Sequence, residues 1–386
     1  MVLGLPAGRG APEAVPRMNR RGDTPLAPMV EPSFTCDRGP SPSRHHPWLR
    51  PGPRRRRPMR RSGFRSRLIP VALGTALLLI GFVPDASAQG TWTSLAPVPS
   101  VGSGVEGMQV GQVGNDIIAA FGLDSGAGDT VTTRIYDISS DTWTTGSDGP
   151  LPARSEGAAV THDGSLYAIG GRSATVLANL DQYTPATDTW TSLAPMLTAR
   201  AGLGAARVGE AIYAIGGRTS GAGPCSGGEL ATVERFDIAS GTWSTVAPLP
   251  SARSDLAAKT KGGKIYVFGG CAGGVFLGDV DVYDPNTDTW STAPVDLPTP
   301  RAAMYAVGKK GGTIFVIGGF AGGAALGVNE GYKVSKDSWS TWAPMLTPRA
   351  EMGVASHGGR IYTVGGGLPA FGASTNQNEV FKPSPA

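Results

Sequence analysis

Five arginines recur at the end of Pro-containing stretches of this 386-residue chain: Arg154, Arg200, Arg253, Arg301 and Arg349. Three of them carry an acid two residues on, giving Arg154/Glu156, Arg253/Asp255 and Arg349/Glu351. Residues i and i+2 share a face of an extended strand, so each pair can set a guanidinium beside a carboxylate. Such a set could grip a carboxylate or a sugar bidentately. The same arginines could instead tie neighbouring elements together by pairing with an acid or a carbonyl, and the spacing leaves both open.

Other chemistry is sparse. Beyond residue 88 the histidines are His162 and His357, with no ligand set at metal spacing beside them, so they are expected to be loop residues and no metal is expected. No nucleophile elbow, zinc helix or phosphate loop is present, and the many Gly doublets close apolar runs instead of opening helices, which argues against a dinucleotide site. No cofactor is expected, and no residue can be assigned a catalytic role.

The elements that must position these residues follow from composition. Gly and Pro number 57 and 32, a density of turn formers that suits many short strands and excludes a helix-dominated protein. The net charge of +4 misleads, because residues 1–67 hold 15 Arg against 4 acids while residues 89–386 hold 19 Lys and Arg against 25 acids. The folded part is therefore mildly acidic, and nucleic acid is not an expected partner.

Residues 1–58, with 12 Pro and 11 Arg and no periodic apolar pattern, are expected to be disordered, or a start-site artefact if Met59 is the true start. Residues 59–88 read as a signal peptide. Arginines precede a 16-residue apolar run, Leu68 to Val83, too short for a span of about 20 residues, and Ala86-Ser87-Ala88 suits cleavage before Gln89. The expectation is a secreted or periplasmic product, by a general or a twin-arginine route, with no stable membrane insertion after cleavage.

From Gln89 onward the chain repeats. The runs SLYAIGG, AIYAIGG, KIYVFGG, TIFVIGG and RIYTVGG end at Gly171, Gly217, Gly270, Gly319 and Gly366, with a decayed copy ending at Gly122. Trp92, Trp143, Trp190, Trp243, Trp290 and Trp339 keep the same beat, at intervals of 47 to 53 residues. Each apolar run is followed by an aromatic residue, then the Trp, then the Arg; the first unit departs, with Val101 at the Arg position. This combination resembles the kelch repeat across essentially all of 91–386.

Each unit supplies four short strands, a to d, with the Arg before strand a, the Gly doublet closing b, the aromatic on c and the Trp on d. The fold expected is all-β, a six-bladed kelch-type β-propeller over residues 89–386. The chain opens with a lone strand d, TWTSLAPVP, and ends with a lone strand c, NEVFKPSPA, so the N-terminal strand should join the last blade and close the ring. Strand a lines the channel of a propeller, which would set Arg154, Glu156, Arg200, Arg253, Asp255, Arg301, Arg349 and Glu351 around its mouth as ligand-binding candidates. The b–c loops emerge on that face and vary in length, offering Asp124, Asp129, Arg172, Phe276, Phe320, Phe371, Asn376 and the long segment from Arg218. Cys225 and Cys271 lie in b–c loops of neighbouring blades, so export would permit a disulfide. The resemblance implies a monomeric binding module for a protein or glycan; a sugar mutarotase of the N-acetylneuraminate epimerase type is the alternative.

Overall fold

The computed structural model describes residues 89–384 apart from 222, 310 and 369–372. The segments 1–58 and 59–88, and Phe371, lie outside the described residues. Among those described there is no helix, and six four-stranded antiparallel sheets form. Sheet I takes Gln109–Val113, Asp116–Ala120, Thr133–Asp137 and Thr142–Gly146; sheet II takes Ala158–His162, Ser165–Ile169, Leu180–Thr184 and Thr189–Ser192. Sheet III takes Gly204–Val208, Ala211–Ile215, Val233–Asp237 and Thr242–Val246; sheet IV takes Ala257–Lys261, Lys264–Phe268, Val280–Asp284 and Thr289–Thr292. Sheet V takes Tyr305–Gly308, Thr313–Ile317, Asn329–Lys333 and Ser338–Thr341. In sheet VI, Gly353–His357, Arg360–Val364 and Asn378–Lys382 are joined by Thr91–Ser94 from the other end of the domain, with Trp92 opposite Phe381. This is the architecture of a kelch-type β-propeller.

Local chemistry explains the strands. The a–b connections of all sheets but V are two-residue turns; Asp163 and Gly164, at φ 43° and 69°, join His162 to Ser165, the left-handed pair that suits the twist of a hairpin. Strand b is apolar on both faces because both are covered: Ser165–Ile169 and Ala211–Ile215 are buried at every position. A doublet such as Gly170-Gly171 must then be glycine. Both residues have positive φ, and a Cβ would fall 2.6 Å from Arg200 O at the first and 2.6 Å from Ser155 O at the second.

The apolar core is divided among the six sheet interfaces. One cluster joins sheets I and II through Ile118, Ala120, Leu166 and Tyr183, and the series continues to a cluster of sheet I and VI residues that includes Ile117, Tyr136, Tyr362 and Val364. The strand d Trp stacks on the aromatic opposite it on strand c, as in Tyr136–Trp143 and Tyr332–Trp339, both with ring centroids 5.0 Å apart. Each Trp also donates its indole N–H to a carbonyl near the end of the preceding sheet: Trp143 to Ala96, Trp190 to Ser147, Trp243 to Ala194, Trp290 to Ala247, Trp339 to Val295 and Trp92 to Ala343. Tyr136, Tyr183, Tyr283 and Tyr332 donate their hydroxyls to Asp141, Asp188, Asp288 and Asp337 in the following turn. Sheet III lacks both members of this pair, with Phe236 and Gly241 in their places.

Candidate functional site

Where strand a begins, every sheet places one residue in the left-handed region: Gly107, Glu156, Gly202, Asp255, Ala303 and Glu351, with φ between 51° and 63°. Their amides form a head-to-tail series. Glu156 N–H donates to Gly107 O, Gly202 to Glu156, Asp255 to Gly202, Ala303 to Asp255, Glu351 to Ala303 and Gly107 back to Glu351, at 2.6 to 3.0 Å. A second series of the same kind runs from the last glycine of each strand b to the residue at the arginine position, ending with Gly366 N–H to Val105 O at 2.8 Å. Val105, not Val101, therefore occupies the arginine position of the first unit. The connection entering sheet I is longer than its counterparts, and without an Arg to mark it the spacing points to the wrong residue.

The left-handed turn separates each Arg from its acid, because i and i+2 share a face only while the backbone stays extended. Arg154, Arg200, Arg253, Arg301 and Arg349 point away from the channel and are fully buried. Each pairs with an acid on strand c of its own sheet: Asp181 (2.7 Å), Glu234, Asp281, Glu330 (2.6 Å) and Glu379 (3.2 Å). These five are enclosed ties within the sheets and do not meet at the mouth. Sheet I inverts the charges, with Arg134 on strand c and Asp124 as its partner at 3.7 Å.

Glu156, Asp255 and Glu351 do come together, at one end of a channel cavity of about 510 Å³ lined by all six inner strands. Their basic partner is Arg218, the first residue after a Gly doublet, whose guanidinium bonds Asp255 Oδ1 at 2.5 Å and Glu156 Oε2. Gly202 makes this possible, since a Cβ there would collide with both Arg218 and Asp255. Arg172 lies 3.6 Å from Glu156. The b–c loop of sheet III folds over the group, donating Gly223 N–H to Glu156 at 3.4 Å and Cys225 N–H to Asp255 at 3.2 Å. A disulfide from Cys225 to Cys271, with Cα atoms 5.3 Å apart, anchors that loop to sheet IV.

Carboxylates outnumber cations here, and their protonation responds. Burial, reinforced by the charge of Glu156, raises Glu106 to about 7. Burial and then Glu156, Glu106 and Asp255 hold Glu351 well above the usual carboxylate range. Burial raises Glu156 against the pull of Arg218, and burial followed by Glu351, Asp255 and Glu156 raises the Tyr305 hydroxyl. Burial alone would lower Arg218, but Asp255 and Glu156 outweigh it and raise it. The group can accept a cationic or hydroxyl-rich ligand, or exchange a proton near neutrality. Glu106 and Tyr305 were invisible to the spacing argument; Tyr305 alone is bulky where the other units have Gln, Ala or Gly. Among the described residues no three His, Cys, Asp or Glu side chains are arranged to hold a metal, and no helix is long and apolar enough to cross a membrane.

Residues 194–366 match the family model described as the KLHDC2/KLHL20/DRC7 Kelch-repeats domain, and residues 153–197 match the Kelch motif. Kelch-like protein 36 of Mus musculus is 30% identical over 205 residues, 50% of this chain and 32% of that protein. Kelch-like protein terF of Aspergillus terreus is 29% identical over 235 residues, 55% of this chain and 48% of that protein. Kelch-like protein 7 of Rattus norvegicus is 34% identical over 122 residues, 32% of this chain and 19% of that protein. The chain thus spans less than half the length of each of these relatives.

Proposed function

The chain belongs to the kelch-repeat family, and from that premise we propose that it is a binding module that docks a protein across the face formed by the d–a and b–c connections. One observation carries this. The large hydrophobic side chains that remain exposed among the described residues, Val101, Leu151, Leu197, Val275, Val295 and Leu346, all lie in those connections. Single exposed apolar residues are ordinary; confinement to one face, around a charged mouth, is the pattern of an interaction surface. Glu106, Glu156, Asp255 and Glu351 then offer a polar or cationic group of the partner its place at the mouth. The paired substitution Leu197→Asp and Leu346→Asp should release a protein retained by the wild-type chain, while Lys336→Glu, on the opposite face, should not. Retention through the pair, or release by Lys336→Glu alone, overturns the reading.

A second reading, carbohydrate binding with mutarotation, is favoured by the Glu106 carboxyl raised to about 7, suited to proton exchange at working pH. The five buried arginines cannot clamp the sugar's carboxylate, so that role falls to Arg172 and Arg218. A glycan array together with a sialic-acid anomerisation assay tests it. Export belongs to the same proposal, with processing after Ala88; N-terminal sequencing that finds a mature end well before residue 80 overturns it.

A further inference from the structure

The same channel carries a second charged group that neither reading uses. Seven residues beyond the arginine position the six inner strands present Gln112, Thr161, Arg207, Thr260, Gly308 and Ser356, and Lys259 sits one residue before that level on sheet IV. All but Gly308 line the cavity, and so does Lys259. Thr260 is occupied, donating its hydroxyl to Arg207 O at 2.7 Å, and Gln112 donates to Gly114 O at 2.5 Å. Arg207 spends one N–H on Gly209 O at 2.5 Å. Lys259 is partly buried, its stem passing over Gly308.

Neither Arg207 nor Lys259 has a carboxylate partner among the described residues, and the Lys259 ammonium has no hydrogen-bond partner there. The acids of the opposite mouth do not neutralise them. Asp255, four residues before Lys259, is committed to Arg218 and to the Cys225 N–H at the other end of the cavity. Two neighbouring cations that are only partly exposed and have no counter-charge repel one another. Burial and then the nearby Arg207 charge accordingly lower the ammonium of Lys259.

We infer that Arg207 and Lys259, with the hydroxyls of Thr161 and Ser356, form a binding site for a phosphate group inside the channel, at the end away from the acidic mouth. A planar guanidinium fork, an ammonium point charge and two hydroxyl donors supply the mixed set that a tetrahedral oxyanion accepts. The phosphate could be free or the head of a small phosphomonoester; the cavity of about 510 Å³ has room for either.

Calorimetric titration of the full chain with inorganic phosphate, and separately with glycerol phosphate, tests this at matched ionic strength in chloride. Saturable binding is expected, weakened about tenfold or more by Lys259→Met and by Arg207→Gln, the scale of one lost charge-assisted hydrogen bond, and kept by Lys259→Arg. Tighter binding of glycerol phosphate would identify an ester as the natural occupant, and equal binding the free ion. A second measurement needs no variant: phosphate should slow acetylation of Lys259, read by peptide mass spectrometry, and leave the exposed Lys336 unaffected. Absence of saturable binding, affinity unchanged in both charge-removing variants, or equal effects on Lys259 and Lys336 overturns the site.

Discussion

Replacing Arg301 by Ala separates an arginine that holds the sheet from one that holds a ligand. Its guanidinium is fully buried. Nε donates to Gly318 O at 2.7 Å, Nη1 to Thr299 O at 2.8 Å and Glu330 Oε2 at 2.6 Å, and Nη2 to Val316 O at 3.0 Å. Truncation leaves Glu330 a buried carboxylate supported only by the Thr299 hydroxyl at 2.8 Å, and it strips a donor from the buried carbonyls of Val316 and Gly318. Breaking one side of a buried pair costs about 3–5 kcal/mol, and each abandoned carbonyl adds about 1 kcal/mol or more. The expected loss of about 5 kcal/mol is a large share of a stability on the order of 5–15 kcal/mol. Removing both charges, Arg301→Met with Glu330→Met, should recover about 2 kcal/mol of that loss, since no buried charge is then unpaired. Urea unfolding with unchanged m values measures all three proteins. A ligand-gripping arginine predicts the reverse: stability within about 0.5 kcal/mol of wild type with partner binding gone. That outcome would refute the structural assignment of the whole series.

Four further outcomes are expected. Because the Glu106 carboxyl is raised from 4.5 to about 7 in the fold, its contribution is fully present below the unfolded value and fades as pH rises through 7. Glu106→Gln should therefore match wild type near pH 4.5 and exceed it at alkaline pH by up to about 3 kcal/mol, as urea titrations across that range would show. Deleting residues 89–99 removes the strand d of sheet VI with the Trp92–Phe381 contact at 5.0 Å; a loss of at least about 3 kcal/mol is expected, and an unchanged melting temperature contradicts the pairing. Phe236→Tyr alone should destabilise sheet III by about 1 kcal/mol or more through an unmet hydroxyl, and adding Gly241→Asp should reverse this, by analogy with Tyr183 and Asp188; a non-additive double-mutant cycle is the check. Reducing the Cys225–Cys271 bridge, which closes a separation of 46 residues, should cost about 4 kcal/mol on the chain-entropy model, and alkylation of both cysteines without reductant would exclude the bridge.

Much of this protein was decided by periodic residues whose roles are local. Trp on strand d needs an aromatic opposite it, strand b needs two covered faces, and the doublet after it needs glycine at positive φ. The first two requirements recur in every unit and the doublet in five of six, with Phe121 at the left-handed position of the first, so repeat, strand order and all-β class are legible along the chain, and the lone strands at its two ends foretell the pairing of Trp92 with Phe381. What the sequence did not disclose was direction. A left-handed residue at Glu156, Asp255 or Glu351, which its residue type does not announce, turns its side chain away from the arginine two positions earlier. The arginines went into the sheets and the acids into the channel, where a strand rule predicts them together. A signal for this existed, since an acid stands two residues before the strand c aromatic at Asp181, Glu234, Asp281, Glu330 and Glu379, and Arg134 replaces it in the unit that lacks the arginine. The mouth itself was set by tertiary structure alone. Glu106, Arg218 and Tyr305 come from three units with no shared spacing, and only the radial arrangement of the sheets brings their charges within reach of one another and out of water.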